Sequence, residues 1–187
     1  MIKLFSFEPA LFNNNGDQGN LLVLEKSLTS MGVPYEIVNG AEEADFVLVG
    51  DCALAVLNKY RDSLLELMPL LQQRMTEGRA TLLVGRSYEL LAPALGIPLA
   101  LGGRESKYVE VATKLGEIFG YHNSEVLEPR ALISGGFVGT TLFGPILAKN
   151  PEVLRSVLAS MGVEANGVFF EEVEVLATRV REAITFE

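Results

Sequence analysis

Two short runs, Asp45–Gly50 and Ala80–Val84, are apolar at nearly every position and end at a glycine, followed by a helical pattern. An unbroken apolar run of this length marks a strand covered on both faces. Both-face cover is the condition of a parallel sheet whose crossovers are helices. Ile2–Phe7 and Pro34–Val38 read as two further strands. Leu21, Leu22, Leu24, Leu28 and Met31 recur at helical spacing before a stop at Gly32. Ala53 to Glu77 is a long helical stretch that Pro69 kinks or splits and Gly78 ends. The expected fold is therefore α/β: three layers, with a mainly parallel sheet and helices on both faces.

The second half reads differently. Tyr108–Val111, Glu117–Tyr121, Leu132–Ile133 and Phe137–Leu142 are short strand-like runs between glycines and charges, and suit an antiparallel extension at one edge. Pro151–Met161 and Phe170–Ile184 close the chain as helices. In the second, Val173, Leu176, Val180 and Ile184 form the expected buried stripe. No linker or repeat interrupts the 187 residues, so one domain over 1–187 is expected.

Composition narrows the function. A net charge of −9 argues against a nucleic-acid backbone as partner, since that needs clustered Lys and Arg. One cysteine, Cys52, excludes a disulfide framework and a Cys-rich zinc site, and with a single His any metal site would have to be built mainly of carboxylates; none is expected. No cofactor is expected. No apolar window approaches the ~18 residues of a membrane span, and the N-terminus does not read as a signal peptide. A cytoplasmic protein without membrane insertion is expected.

In an open parallel sheet, ligands sit beyond the carboxyl ends of the strands. Three loops qualify here: Asn13–Asn20, Gly50-Asp51-Cys52 and Gly85-Arg86-Ser87. Asp17 and Asn20 are candidates to bind a polar ligand or a partner, or to cap the following helix. Asp51 stands in the second loop beside Cys52, which reads as a displaced nucleophile or, more simply, as an inert buried thiol. Gly85 holds the tip of a sharp strand-to-helix turn with the architecture of a nucleophile elbow. Arg86 next to it suits a carboxylate or phosphate ligand, or a structural ion pair. Ser87 is a weaker candidate nucleophile. His122 reads as a surface-loop residue that would pair with Cys52 only if the fold joined them.

Three segments carry a resemblance. Gly16-Asp17-Gln18-Gly19-Asn20-Leu21, the run Leu82 to Leu91 around Gly85-Arg86-Ser87-Tyr88, and the run Gly139 to Pro151 (GTTLFGPILAKNP) resemble class I glutamine amidotransferases of the cobyric acid synthase type. They are most similar to the small amidotransferase component of lipid II isoglutaminyl synthase. That resemblance implies the fold just described and a Mur-ligase-like partner subunit. It also places the family's nucleophilic Cys at Gly85 and its catalytic His at Phe143. Neither residue can attack a carboxamide or carry a proton, and loss of a nucleophile alone costs about a million-fold in a comparable constellation. The resemblance thus implies a catalytically degenerate subunit that binds, stabilises or regulates its partner. The alternatives are an enzyme rebuilt around Cys52 or Ser87, and a binding module for a small anionic metabolite.

Overall fold

The computed structural model describes residues 1–184. Its main sheet has six strands: β1 (Ile2–Ser6), β2 (Tyr35–Ile37), β3 (Phe46–Val49), β4 (Thr81–Val84), β7 (Ala131–Ser134) and β8 (Phe137–Thr140). Their spatial order is β2-β1-β3-β4-β8-β7, parallel throughout except for the antiparallel edge pair β7–β8. Helices cover both faces, as the doubly apolar strands require. Phe46 and Leu48 of β3 point into one core with α1 (Gln18–Ser30), α5 (Ile146–Lys149), α6 (Pro151–Ser160) and α7 (Val168–Ala183). Val47 and Val49 point into the other, with α2 (Leu54–Glu66), α3 (Met68–Glu77) and α4 (Arg86–Leu91). The two-residue period of the strand divides one sequence between two cores. The long helical stretch is split at Leu67, with Pro69 in the first turn of α3, where a missing N–H is harmless.

The second half corrects two expectations. Phe137–Leu142 belongs to the antiparallel edge extension only in part, since it pairs antiparallel with β7 on one side alone. Phe137–Thr140 enters the main sheet parallel to β4, buried on both faces. Leu142–Phe143 then passes, as β9, to a separate three-stranded antiparallel sheet. Arg130 turns this corner, because its carbonyl accepts the Thr141 N–H and the Thr140 hydroxyl. The two short strands expected around Tyr108 and Glu117 are parts of one long hairpin, β5 (Ala100–Thr113) and β6 (Gly116–Glu128). The outer part of β5 is almost wholly solvent-facing, so its sequence lacks the apolar alternation that announces a strand.

The stripe expected on the last helix is also revised. Phe170, Val173 and Ala177 face the core, while Leu176 and Val180 are exposed. The helix carries apolar residues on more than one side, and packing against α5 and α6 selected the side bearing the aromatic ring.

Arg74 on α3 is fully buried among the strands it serves. Its guanidinium donates to the carbonyls of Ala44, Asp45 and Ala80 and to the Thr81 hydroxyl, tying α3 to the N-terminal ends of β3 and β4. Burial lowers its pKa to about 10, which leaves it charged at neutral pH. Replacing Arg74 by Ala should cost about 3 kcal/mol or more in urea unfolding, because three carbonyls lose a charged donor inside the protein.

Candidate functional site

The loops after β1, β3 and β4 meet at one carboxylate. Asp51, 2% exposed, accepts the Arg86 N–H at 3.0 Å on Oδ1. It accepts the side-chain amides of Asn14 and Asn15 at 3.1 and 2.9 Å on Oδ2. Its own N–H donates to Asp17 Oδ2 at 2.9 Å. Asp51 thus lines a candidate ligand cleft as an architectural residue, its oxygens already engaged.

Gly85 has φ +59° and ψ −127°, a region open to glycine and strained for other residues. This is the sharp elbow the sequence announced. The tip is filled from outside: a Cβ placed on Gly85 would lie 2.6 Å from Asp51 Oδ1 and 2.6 Å from Phe143 Cε1. Gly85 and Phe143, the two positions to which the resemblance assigns nucleophile and imidazole, are therefore neighbours. They hold no group that can attack or shuttle a proton.

The other candidates separate. Cys52 is completely buried in the core beside α2, and burial pushes its thiol up to about 11, so it stays protonated at neutral pH. It is the inert thiol of the simpler reading. Ser87 is also sealed, its hydroxyl donating to the Gly50 carbonyl at 2.6 Å, which staples the second loop to the third. His122 is not on a surface loop: it lies fully buried within β6, with Nδ1 2.9 Å from the Thr141 hydroxyl. Burial, then the Arg130 charge, lowers its pKa, so the ring is neutral. Its run of turn-type neighbours, Gly120 to Asn123, proved to be strand because backbone pairing to β5 overrides their local preference.

Asp17 and Asn20 are both buried, and neither caps α1 with its side chain. Asn13 does so instead, accepting the Gln18 N–H at 3.0 Å. Asn20 sits within the first turn and accepts the Leu147 N–H at 2.9 Å, which pins the Gly139–Pro151 segment onto α1. Gly19 makes room for this contact, since a Cβ there would meet Pro145 at 2.6 Å. Lys149 folds back to donate to the Phe143 carbonyl at 3.0 Å, and burial lowers its pKa. Asp17 is caught between these groups, with Oδ1 unpaired among the described residues, and burial raises its pKa to about 7.

The open part of the site is a polar cleft of about 200 Å³ above the Asp51 carboxylate. Asn14, Asn15, Asp51, Arg86, Glu89 and Phe143 line one side, and the hairpin residues Arg104, Asn123, Ser124 and Glu125 line the other. Among the described residues the Arg86 side chain makes no ion pair, against the structural pairing open to it from sequence. Ser124 donates to Glu89 at 2.5 Å across the cleft. The hairpin wall was invisible in sequence, since nothing local ties residues 104 or 123–125 to the strand-end loops. No group of three or more metal-ligating side chains occurs among the described residues, and no described helix is long and apolar enough to cross a membrane.

With this architecture in view, solved structures supply the fold class. The chain is similar to the PurLQS structure from Thermotoga maritima at 12% identity and TM-score 0.51, covering 84% of this chain and 97% of that one. It is similar to a putative GMP synthase component from Thermoplasma acidophilum, described as one subunit of that enzyme, at 13% identity and TM-score 0.50, covering 94% and 98%. A glutamine amidotransferase from Thermotoga maritima aligns at 15% identity and TM-score 0.49, covering 97% and 94%. The fold is class I glutamine amidotransferase-like, a mostly parallel α/β sheet with an added antiparallel sheet. No known family profile matches the chain, and no curated protein matches it in sequence.

Asp17 gives the site a pH signature. Its carboxyl keeps its proton to about pH 7 in the native state but loses it near 3.8 when unfolded. The native state then binds more protons between those values, so stability is complete below about pH 4 and is lost as pH rises through about 7. Asp17→Asn should flatten this slope. In urea titrations at about pH 8 the variant should exceed the wild type by roughly 2–4 kcal/mol, and the gap should close towards about pH 4.

Proposed function

We propose that this chain is a catalytically degenerate glutamine amidotransferase-like subunit that binds, stabilises or regulates a partner enzyme. The observation that carries the reading is the occupied elbow. The strained turn is kept at Gly85, while the Asp51 carboxylate and the Phe143 ring stand where a side chain would project. The burial of Cys52 and Ser87 and the neutral, enclosed His122 argue against chemistry rebuilt on any of them.

The finer assignment rests on the motif resemblance to the cobyric acid synthase type and to the lipid II isoglutaminyl synthase component. It makes the partner a Mur-ligase-like protein in a cytoplasmic heterodimer serving cell-wall chemistry, with residues 1–187 as one domain. The fold-level likeness to a protein described as part of a synthase is in keeping with a subunit role. A second reading, a module for a small anionic metabolite, draws on the Arg86 guanidinium in the cleft, which makes no ion pair among the described residues. The carboxylates of Asp51, Glu89 and Glu125 in the same cleft weigh against a polyanion.

Purified protein, alone and with a Mur-ligase-like protein of the same genome, should release no glutamate from glutamine. The two proteins should co-elute. Release above the buffer blank overturns the degenerate reading, and separate elution overturns the partner assignment. Gly85→Cys should not restore activity. It should lower stability by about 1–3 kcal/mol in thermal or urea unfolding, because the new side chain is forced against Asp51 and Phe143.

A further inference from the structure

Helix α7 buries Phe170, Val173 and Ala177 and leaves a second face pointing away from the core. At 3.6 residues per turn that outer face consists of Val168, Glu172, Val175, Leu176, Arg179 and Ala183. Three of these are large apolar residues left well exposed: Val168 at 68%, Val175 at 50% and Leu176 at 58%. A solvated helix normally turns charge outward here. Among the described residues neither Glu172 nor Arg179 makes an ion pair.

The order of residues on this face is self-complementary. Lay a second α7 antiparallel across it, with the two-fold axis between positions 175 and 176. Val175 then meets Leu176 of the other copy, Glu172 meets Arg179, and Val168 meets Ala183. Each contact occurs twice, and all six residues are used. A two-fold interface requires this property, because residue i must suit residue j while j suits i. We propose that the outer face of α7 is the interface of a homodimer, formed by antiparallel packing against α7 of a second copy. Its apolar centre excludes water and its two Glu172–Arg179 pairs fix direction and register. A parallel pairing would set Glu172 against Glu172 and Arg179 against Arg179, which repel. One helix face is smaller than the ~1,200 Å² of a standard stable interface, so the dimer forms and dissociates with concentration.

Sedimentation equilibrium of the full chain tests this. The wild type should titrate from the mass of one chain to that of two. Glu172→Arg and Arg179→Glu each put like charges at both ends of the interface. Each should weaken dimerisation about tenfold or more. A mixture of the two single variants should dimerise again, since every opposed pair then carries opposite charge, and so should the double variant alone. This recovery also shows that the single variants are folded. A wild type that stays monomeric at every soluble concentration, or a dimer indifferent to Glu172→Arg, overturns the proposal. So does a mixture that fails to recover.

Discussion

One buried carboxylate holds the strand-end loops of this molecule together. Asp51 lies just beyond β3 and takes donors from the loop after β1 and from the first residue of the helix after β4, while its N–H reaches Asp17. Such charge-assisted bonds are the stronger kind. Here they join three loops that the parallel sheet alone would leave independent. The elbow at Gly85, the seat of Phe143 and the floor of the cleft are all placed relative to this residue.

The same arrangement explains why the three motif-bearing segments depend on one another. Gly19 admits Pro145, and Asn20 receives the Leu147 N–H, so the first loop is shaped by the last motif. Gly139 leaves space for the Tyr88 ring, which a Cβ would strike at 2.5 Å, so the middle motif is shaped by the last as well. Asn150 accepts the Phe119 N–H and donates to its carbonyl, coupling that motif to the hairpin sheet. The motif residues thus have scaffold duties of their own. These residues hold the backbone of the three loops in one arrangement.

Legibility from sequence followed burial. The strands β1 to β4 and the helices between them were readable because each is apolar on faces that the sheet must cover, and their loops necessarily fall at one sheet end. The hairpin was only partly readable, since its exposed outer half carries no apolar alternation. The resemblance set Gly85 and Phe143 in one place, and the fold makes them neighbours. The site was not readable at His122, Ser87, Asp17 or Asn20. Their polar side chains look like surface or loop residues, yet each is enclosed and matched to a distant or local partner.

The amino-acid sequence by itself determined the parallel α/β core, the turn at Gly85 and the absence of sulfur and imidazole at the two motif positions, because periodicity and residue chemistry are local properties. Tertiary structure alone decided the rest. It sent Phe137–Thr140 into the main sheet, put Asp51 and Phe143 into the space beside Gly85, closed Cys52 away from solvent, and chose which face of α7 to bury. Each of these outcomes depends on which segments far apart in the chain compete for the same volume, and close packing settles that competition only when the whole chain is assembled.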